Sequence, residues 1–100
     1  MKDLEALHAR ADEVALRLRL MGNPARLMIL CHLGTGEKSV GALETLLSMR
    51  QAAVSQMLAR LRDEGLVQTR REGKTIYYAL KNQHTKEIIA LLHRQFCSPD

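Results

Sequence analysis

The sequence has no long apolar run, no internal repeat and no low-complexity segment. A membrane-spanning helix needs about 18 or more consecutive apolar residues, and no run of that length occurs. The stretch MKDLEALHARADE is charged where a secretory signal would have its apolar segment. We therefore expect a cytoplasmic protein that does not act at a membrane.

Cysteine is scarce, with two residues in the chain, Cys31 and Cys97. Because lasting disulfides are rare in a reducing cytosol, these residues can be two unrelated structural thiols. Cys31 lies in the apolar stretch RLMILCHLG, where a free cysteine usually packs as a small hydrophobe. Cys97, in RQFCSPD, has no such packing reason, so the residues alone leave the role of the pair open.

The length of 100 residues, with 46% apolar content, suits one compact domain over residues 1–100 and is too short for two. The net charge of +4 lies in residues 50–81, which hold seven basic and three acidic side chains. This concentration indicates a surface that meets nucleic-acid phosphates, although a merely solvated basic face would give the same count.

Apolar residues near the N-terminus are spaced alternately three and four apart: Leu4, Leu7, Ala11, Val14, Leu18 and Met21. This repeat predicts one long helix with an apolar seam. The seam needs a facing helix, which belongs either to the same chain or to a second copy in a symmetric dimer.

Two shorter helices follow. Asn23 is the predicted N-cap of the second helix, Pro24 takes its first position and Gly34 ends it. The segment TGEK is a predicted loop, after which Ser39 caps the third helix, VGALETLL.

The fourth predicted helix follows a turn at Ser48 and Met49. It runs from Arg50 to Glu64 and ends at Gly65, whose expected conformation is left-handed. Beyond it, LVQTRR and TIYYAL are rich in β-branched and aromatic residues and predict a hairpin around EGK. The segment QHTKEIIALLHRQF is the last predicted helix, with these apolar residues on one side: Ile88, Ile89, Leu92 and Phe96.

The resulting order, α-α-α-α-β-β-α, describes a mainly α protein with a β-hairpin. A short helix, a tight turn, a second helix and then a hairpin form the winged helix-turn-helix arrangement. In that arrangement the second helix enters the major groove of double-stranded DNA and the hairpin, or wing, reaches the flanking backbone.

The fourth helix has an inward face formed by Val54, Met57, Leu58 and Leu61. Its outward face has small alanines, which allow close approach to a groove floor, and glutamines, which can pair with an adenine edge. The predicted DNA contacts of this helix are Arg50, Gln51, Ala52, Ser55, Gln56 and Arg60. Those of the wing, which position the protein on phosphate or in the minor groove, are Arg70, Arg71 and Lys74.

The segments SVGALETLL and AAVSQMLARLRDEGLVQTRREGKTIYYAL, with the last helix, resemble the ArsR/SmtB family of dimeric winged-helix repressors. The resemblance extends from about Leu16 to the end of the chain and implies a homodimer built from the first and last helices. It also implies operator DNA as partner and release of that DNA when an inducer binds. Two positions depart from the family pattern, Arg50 in place of Ser and Met57 in place of His. Capping by Ser48 could replace the hydroxyl missing at Arg50.

Metal sensing, as some members of the family perform, is not expected. The third helix lacks the cysteines of a thiolate site, and no carboxylate accompanies His84 in NQH. His84 and His93 are nine residues apart on one helix, so they point to opposite sides and cannot bind one ion together. We predict no metal and no cofactor.

The two cysteines, in LMILCHL and in FC near the C-terminus, resemble those of the persulfide-sensing branch of the family. That resemblance implies that Cys31 and Cys97 of one protomer are joined through a polysulfide bridge, which lowers operator affinity. The alternatives are a metal- or oxidant-responsive repressor of the same family and a thiol enzyme. A thiol enzyme would need an activating neighbour, which the apolar setting of Cys31 does not offer.

Overall fold

A computed structural model describes residues 2–97 of the chain. The elements of this part of the chain are α1 (Lys2–Ala9), α2 (Ala11–Met21), α3 (Pro24–Leu33), β1 (Lys38–Ser39), α4 (Val40–Leu47), α5 (Gln51–Asp63), β2 (Val67–Glu72), β3 (Thr75–Leu80) and α6 (Gln83–Phe96). The winged helix-turn-helix prediction is confirmed, because α4, the turn, α5 and the β2–β3 hairpin follow one another as expected.

The predicted order was wrong at two places, and the first is the N-terminal helix. The helix breaks at Arg10, whose N–H donates to the carbonyl of Leu7, three residues back instead of four. The Arg10 guanidinium also makes two hydrogen bonds of 2.9 Å to the Glu13 carboxylate in the first turn of α2. Leu4 and Leu7 are half exposed and lie outside the core, so these two side chains do not hold α1 in line with α2.

The second difference is a short strand in the segment predicted as a loop. Lys38 and Ser39 form β1, which pairs antiparallel with β3, and the strand order of the sheet is β1-β3-β2. The hairpin of β2 and β3, predicted around EGK, turns at Gly73, whose φ of 63° lies in the left-handed region that such a tight turn needs.

Local capping explains the ends of α3 and α4. The Asn23 side chain accepts a hydrogen bond from the backbone N–H of Arg26 at 3.0 Å, and Ser39 accepts one from Ala42 at 3.1 Å. Gly34 ends α3 as predicted. A Cβ at this glycine would lie 3.0 Å from Cγ2 of Ile89, so α3 and α6 approach too closely there for a larger residue.

Helix α5 is one residue shorter at each end than predicted. Arg50 stands at its N-cap without a side-chain capping bond, and Ser48 lies in a left-handed conformation as the C-cap of α4. The suggested capping of α5 by Ser48 is therefore wrong. Gly65, with φ of 79°, confirms the predicted left-handed end of the helix.

The core lies between α3, α4, α5 and the sheet, with α2 and α6 packed on its flanks. The inward face predicted for α5 is confirmed, since Val54, Leu58 and Leu61 are fully buried and Met57 packs against them. Burial of this face turns the opposite face of α5 to solvent. Fully buried leucine and isoleucine side chains from the other elements complete the core: Ile29, Leu30, Leu43 and Leu66.

Asn82 joins the end of α5 to the start of α6. Its side-chain oxygen accepts hydrogen bonds from the backbone N–H and the hydroxyl of Thr85, at 2.9 and 2.7 Å. Its amide nitrogen donates to the carbonyl of Gly65 at 2.9 Å. One side chain therefore caps α6 and satisfies a carbonyl next to the end of α5.

We expect Asn82→Ala to lower the free energy of unfolding by about 1–2 kcal/mol, because it removes a helix cap and leaves the buried Thr85 hydroxyl without its acceptor. Urea denaturation measures this change. The matched control is Gln83→Ala at the next, exposed position, which should cost less than about 0.5 kcal/mol. Equal losses in both variants would contradict the capping role.

Candidate nucleic-acid interface and thiol pocket

The outward face of α5 is open to solvent as the sequence predicts. Gln51, Ala52, Gln56 and Arg60 are exposed and Ser55 is half-buried. These side chains lie on the side opposite the buried Val54, Leu58 and Leu61, so the face is free to enter a groove. Arg50, at the N-cap, is exposed at the start of the same helix.

The three basic residues of the wing differ in their surroundings. Arg71 and Lys74 are exposed and form no ion pair with any residue between 2 and 97. Arg70 instead makes a two-pronged contact with the Glu37 carboxylate, in which its Nε lies 3.1 Å from Oε2. Its guanidinium also lies 4.9 Å from the centre of the Tyr77 ring. Arg70 is therefore held against the protein, whereas Arg71 and Lys74 are available to an anionic partner.

The contact between Arg70 and Glu37 changes the acidity of both groups. Hydrogen bonding to the Arg70 guanidinium holds the pKa of the Glu37 carboxyl below its ordinary value, and Glu37 raises the pKa of Arg70. Glu37 belongs to the loop between α3 and β1, so this pair connects that loop to the wing.

Cys31 is half-buried on α3, and Cys97 is exposed at the C-cap of α6. Both thiols are free. Burial raises the pKa of the Cys31 thiol, and the negative charge of a nearby Cys97 thiolate raises it further. A raised pKa leaves less of the Cys31 thiol as the reactive thiolate, whereas an activated catalytic cysteine has a lowered pKa.

Cys31 lines an open pocket of about 490 Å³. One wall is the end of α3 with the loop containing Gly34 and Glu37, and a second is formed by strand residues such as Gln68. Helix α6 supplies the third wall, including Lys86 and His93.

Lys86 and His93 are not among the site residues that the sequence predicts. A signal for them exists in the sequence, because Lys86, Ala90, His93 and Cys97 are spaced four, three and four apart and share one side of α6. The spacing indicates a site only when the structure shows that Cys31 lines the same pocket as this side of α6.

The two histidines of α6 lie in different surroundings. His84 faces a groove beside α2, whereas His93 lines the pocket beside Cys31. Between residues 2 and 97, no three His, Cys, Asp or Glu side chains come together as metal ligands. Within the same range no helix has the length and apolar character needed to cross a membrane.

A helix-turn-helix followed by a hairpin with free basic side chains defines the class of winged-helix DNA-binding regulators. A model of the bacterial regulatory proteins of the arsR family matches residues 23–69. The biofilm growth-associated repressor of Agrobacterium fabrum is 46% identical over 97 residues, which cover 97% of this chain and 83% of that repressor. This chain therefore belongs to the arsR family, and the resemblance found in its motifs is confirmed.

Solved structures agree with this assignment. The reduced form of HlyU from Vibrio cholerae has a TM-score of 0.84 and 43% identity, over 98% of this chain and 100% of that one. A homodimeric winged helix-turn-helix DNA-binding domain from Mycobacterium bovis has a TM-score of 0.78 and 31% identity, over 93% and 91% of the two chains. These relatives are transcriptional regulators or DNA-binding domains, in agreement with the prediction that the chain is not an enzyme.

The ion pair of Glu37 with Arg70 gives a titration test. We expect Arg70→Met to raise the pKa of Glu37 toward its ordinary value, because the variant lacks the guanidinium that stabilises the carboxylate. NMR of the side-chain carboxyl carbon against pH measures this change. In the wild type, stabilisation by the pair is present above the unfolded pKa and is lost as pH falls through the lowered folded pKa.

The matched control is Arg71→Met, which removes the neighbouring charge but leaves the pair with Glu37 intact. It should leave the Glu37 titration close to that of the wild type. An unchanged Glu37 pKa in Arg70→Met would show that the pair does not persist in solution.

Proposed function

We propose that the protein is a homodimeric repressor that binds operator DNA and releases it when persulfide or polysulfide joins Cys31 to Cys97 through inserted sulfur. The observation that carries this proposal is the placement of two free thiols on packed helices, with Cys31 half-buried on α3 and Cys97 exposed at the C-cap of α6, the helix that contacts α3. The structure of HlyU in a reduced form, a 43% identical relative, supports a thiol-based response.

In this proposal α5 reads the operator. Gln51, Ser55 and Gln56 lie in its N-terminal half, which enters the major groove in winged-helix proteins. The Gln56 amide pairs with an adenine edge, while Ala52 permits close approach and contacts a thymine methyl group. Arg50 and Arg60 bind phosphate at the two sides of this contact or, for Arg60, a guanine edge.

The wing contributes to the affinity for DNA in a way that depends little on the base sequence. Arg71 and Lys74 neutralise phosphates, since neither is paired within the described part of the chain. Arg70 contributes less than either, because Glu37 already compensates its charge.

Dimerisation through the first and last helices accounts for the exposed apolar side chains. Several large apolar side chains of α1, α2 and the later part of α6 are exposed: Leu4, Leu7, Leu18, Leu91 and Phe96. A second copy covers such a surface symmetrically. The homodimeric domain from Mycobacterium bovis supports this arrangement.

The base contact of α5 and the phosphate contact of the wing predict two different losses of DNA affinity. Because both protomers carry the change, Gln56→Ala should weaken binding to a preferred site by about 1–3 kcal/mol per half-site and relax the preference at one base pair in each half-site. Lys74→Ala should weaken binding to all sequences and reduce the salt slope by about 1 for each protomer on the DNA. Fluorescence anisotropy on a fragment selected from a random pool, at several salt concentrations, measures both.

Gln83→Ala, an exposed glutamine on α6, is the matched control and should bind DNA as the wild type does. If Gln56→Ala lowered affinity for selected and random DNA by the same factor, direct reading by α5 would be refuted.

The sulfur chemistry balances without an external oxidant. Each thiolate takes the outer sulfur of a persulfide RSSH and releases RS⁻, giving Cys31–SSH and Cys97–SSH. The deprotonated persulfide of Cys97 then attacks Sγ of Cys31 and expels HS⁻, leaving one inserted sulfur between the two Sγ atoms. Two thiols and two RSSH thus yield the bridge, two RSH and H₂S. The thiols are oxidised, and one sulfane sulfur is reduced to sulfide.

The bridge acts on DNA binding through α3. This helix contacts α4, which precedes the recognition helix, and it also contacts α6. Tying α3 to the end of α6 restrains both the helix-turn-helix and the dimer surface. We expect a coupling of about 1–3 kcal/mol, or roughly 5–150-fold in operator affinity.

The decisive experiment treats reduced protein separately with a persulfide donor and with a disulfide oxidant. In the wild type, intact mass spectrometry should find a single cross-linked chain that has gained sulfur, and operator affinity should fall. Cys31→Ser and Cys97→Ser should bind DNA normally but keep it after treatment with the donor. Normal release from either variant would refute the proposed switch.

Treatment with the disulfide oxidant distinguishes a persulfide-responsive repressor from an oxidant-responsive one. A direct disulfide requires the two Cα atoms to approach within about 7 Å, whereas each inserted sulfur extends the reach. A bridge formed by the oxidant alone, with the same loss of DNA affinity, would favour oxidant sensing instead.

A further inference from the structure

The two thiols differ in how readily they react with a sulfur donor. Cys97 is exposed and meets any donor in solution, but Cys31 is half-buried and its pKa is raised. Because the thiolate is the nucleophile, Cys31 reacts slowly with a freely diffusing donor. A donor held beside Cys31 would offset this disadvantage through proximity.

The pocket beside Cys31 has the size to hold such a donor. Its volume of about 490 Å³ lies within the range of roughly 300–1,000 Å³ that is typical of small-molecule sites. Leu33, Leu80 and Ile89 give it an apolar floor, on which a carbon chain can pack. The close approach of α3 and α6 at Gly34 and Ile89 fixes the separation of two of its walls.

The charged groups around the pocket favour an anion. The Lys86 ammonium lines it from α6 and is in no salt bridge with a side chain between residues 4 and 97, and the His93 imidazole lies on the same wall. Outside the lining, Lys38 donates hydrogen bonds to two residues of the opposite wall, Thr35 and the carbonyl of Gly36. The acidic residue in the lining, Glu37, is neutralised by Arg70. The balance is therefore positive on the wall where α6 faces Cys31.

We propose that this pocket binds the organic body of a carboxylate-bearing thiol persulfide, with Lys86 on the carboxylate and the sulfane sulfur toward Cys31. The inference rests on the proposed function and names the class of donor for it. The step it promotes is Cys31–SH + RSSH → Cys31–SSH + RSH. In this step the outer sulfur passes to Sγ of Cys31, and the thiol proton leaves on the departing RSH.

A comparison of two donors tests the proposal. Glutathione persulfide has carboxylates, whereas the persulfide of 2-mercaptoethanol has none. In full-length Cys97→Ser protein, mass spectrometry follows sulfur transfer to Cys31 over time. Adding Lys86→Gln should slow transfer from glutathione persulfide by about threefold to tenfold, the range for a partly exposed charged contact, and leave the neutral donor unaffected.

Lys81→Gln is the matched control, because Lys81 is an exposed lysine outside the pocket lining. It should change neither rate. Equal slowing of both donors by Lys86→Gln, or no slowing of either, would overturn the proposed site.

A binding measurement separates this inference from the switch itself. S-methylglutathione cannot transfer sulfur, so its titration into Cys31→Ser/Cys97→Ser protein reports binding alone. The amide resonances of Lys86, Ala90 and His93 should shift, and Lys86→Gln should weaken the titration. No shift would overturn the pocket even if the wild type forms its bridge. A shift together with no bridge from any donor would support the pocket and refute the proposed function.

Discussion

Burial of α3 is the constraint on which the rest of the structure depends. Ile29, Leu30 and Leu33 are almost completely removed from solvent, and the helix contacts α2, α4, β3 and α6. Removing such side chains from water stabilises each by about 1.5–3 kcal/mol, so these neighbours have little freedom to move relative to α3. The helix before α5, strand β3 of the hairpin and helix α6 therefore all pack against one buried helix, the helix that contains Cys31.

The position of Cys31 at the edge of this helix connects chemistry to DNA binding. Its neighbours on α3 are core residues, while Cys31 itself faces the pocket that α6 closes. The proposed bridge would join the edge of this buried helix to the end of α6, which belongs to the proposed dimer surface. The loop after α3 also reaches the wing through Glu37 and Arg70, so the same corner of the molecule contacts a second DNA-binding element.

Local sequence signals predicted most of the fold. The caps Asn23 and Ser39 and the left-handed residues Gly65 and Gly73 occur where expected, because each acts within a few residues of the chain. The errors fall where local signals were weak. The apolar spacing continues through Arg10, but Leu4 and Leu7 lie outside the core and do not hold α1 in line with α2. Strand β1 forms by pairing with β3, which lies far along the sequence.

The sequence by itself determined the winged helix-turn-helix class, the inward and outward faces of α5 and the basic wing, since periodicity and capping are properties of short segments. Only the tertiary structure decided that Glu37 holds Arg70 and that Lys86 and His93 share a pocket with Cys31. These contacts depend on sheet register and on the packing of α3 against α6. Both are interactions between residues distant in the chain, and a short segment of sequence does not specify them.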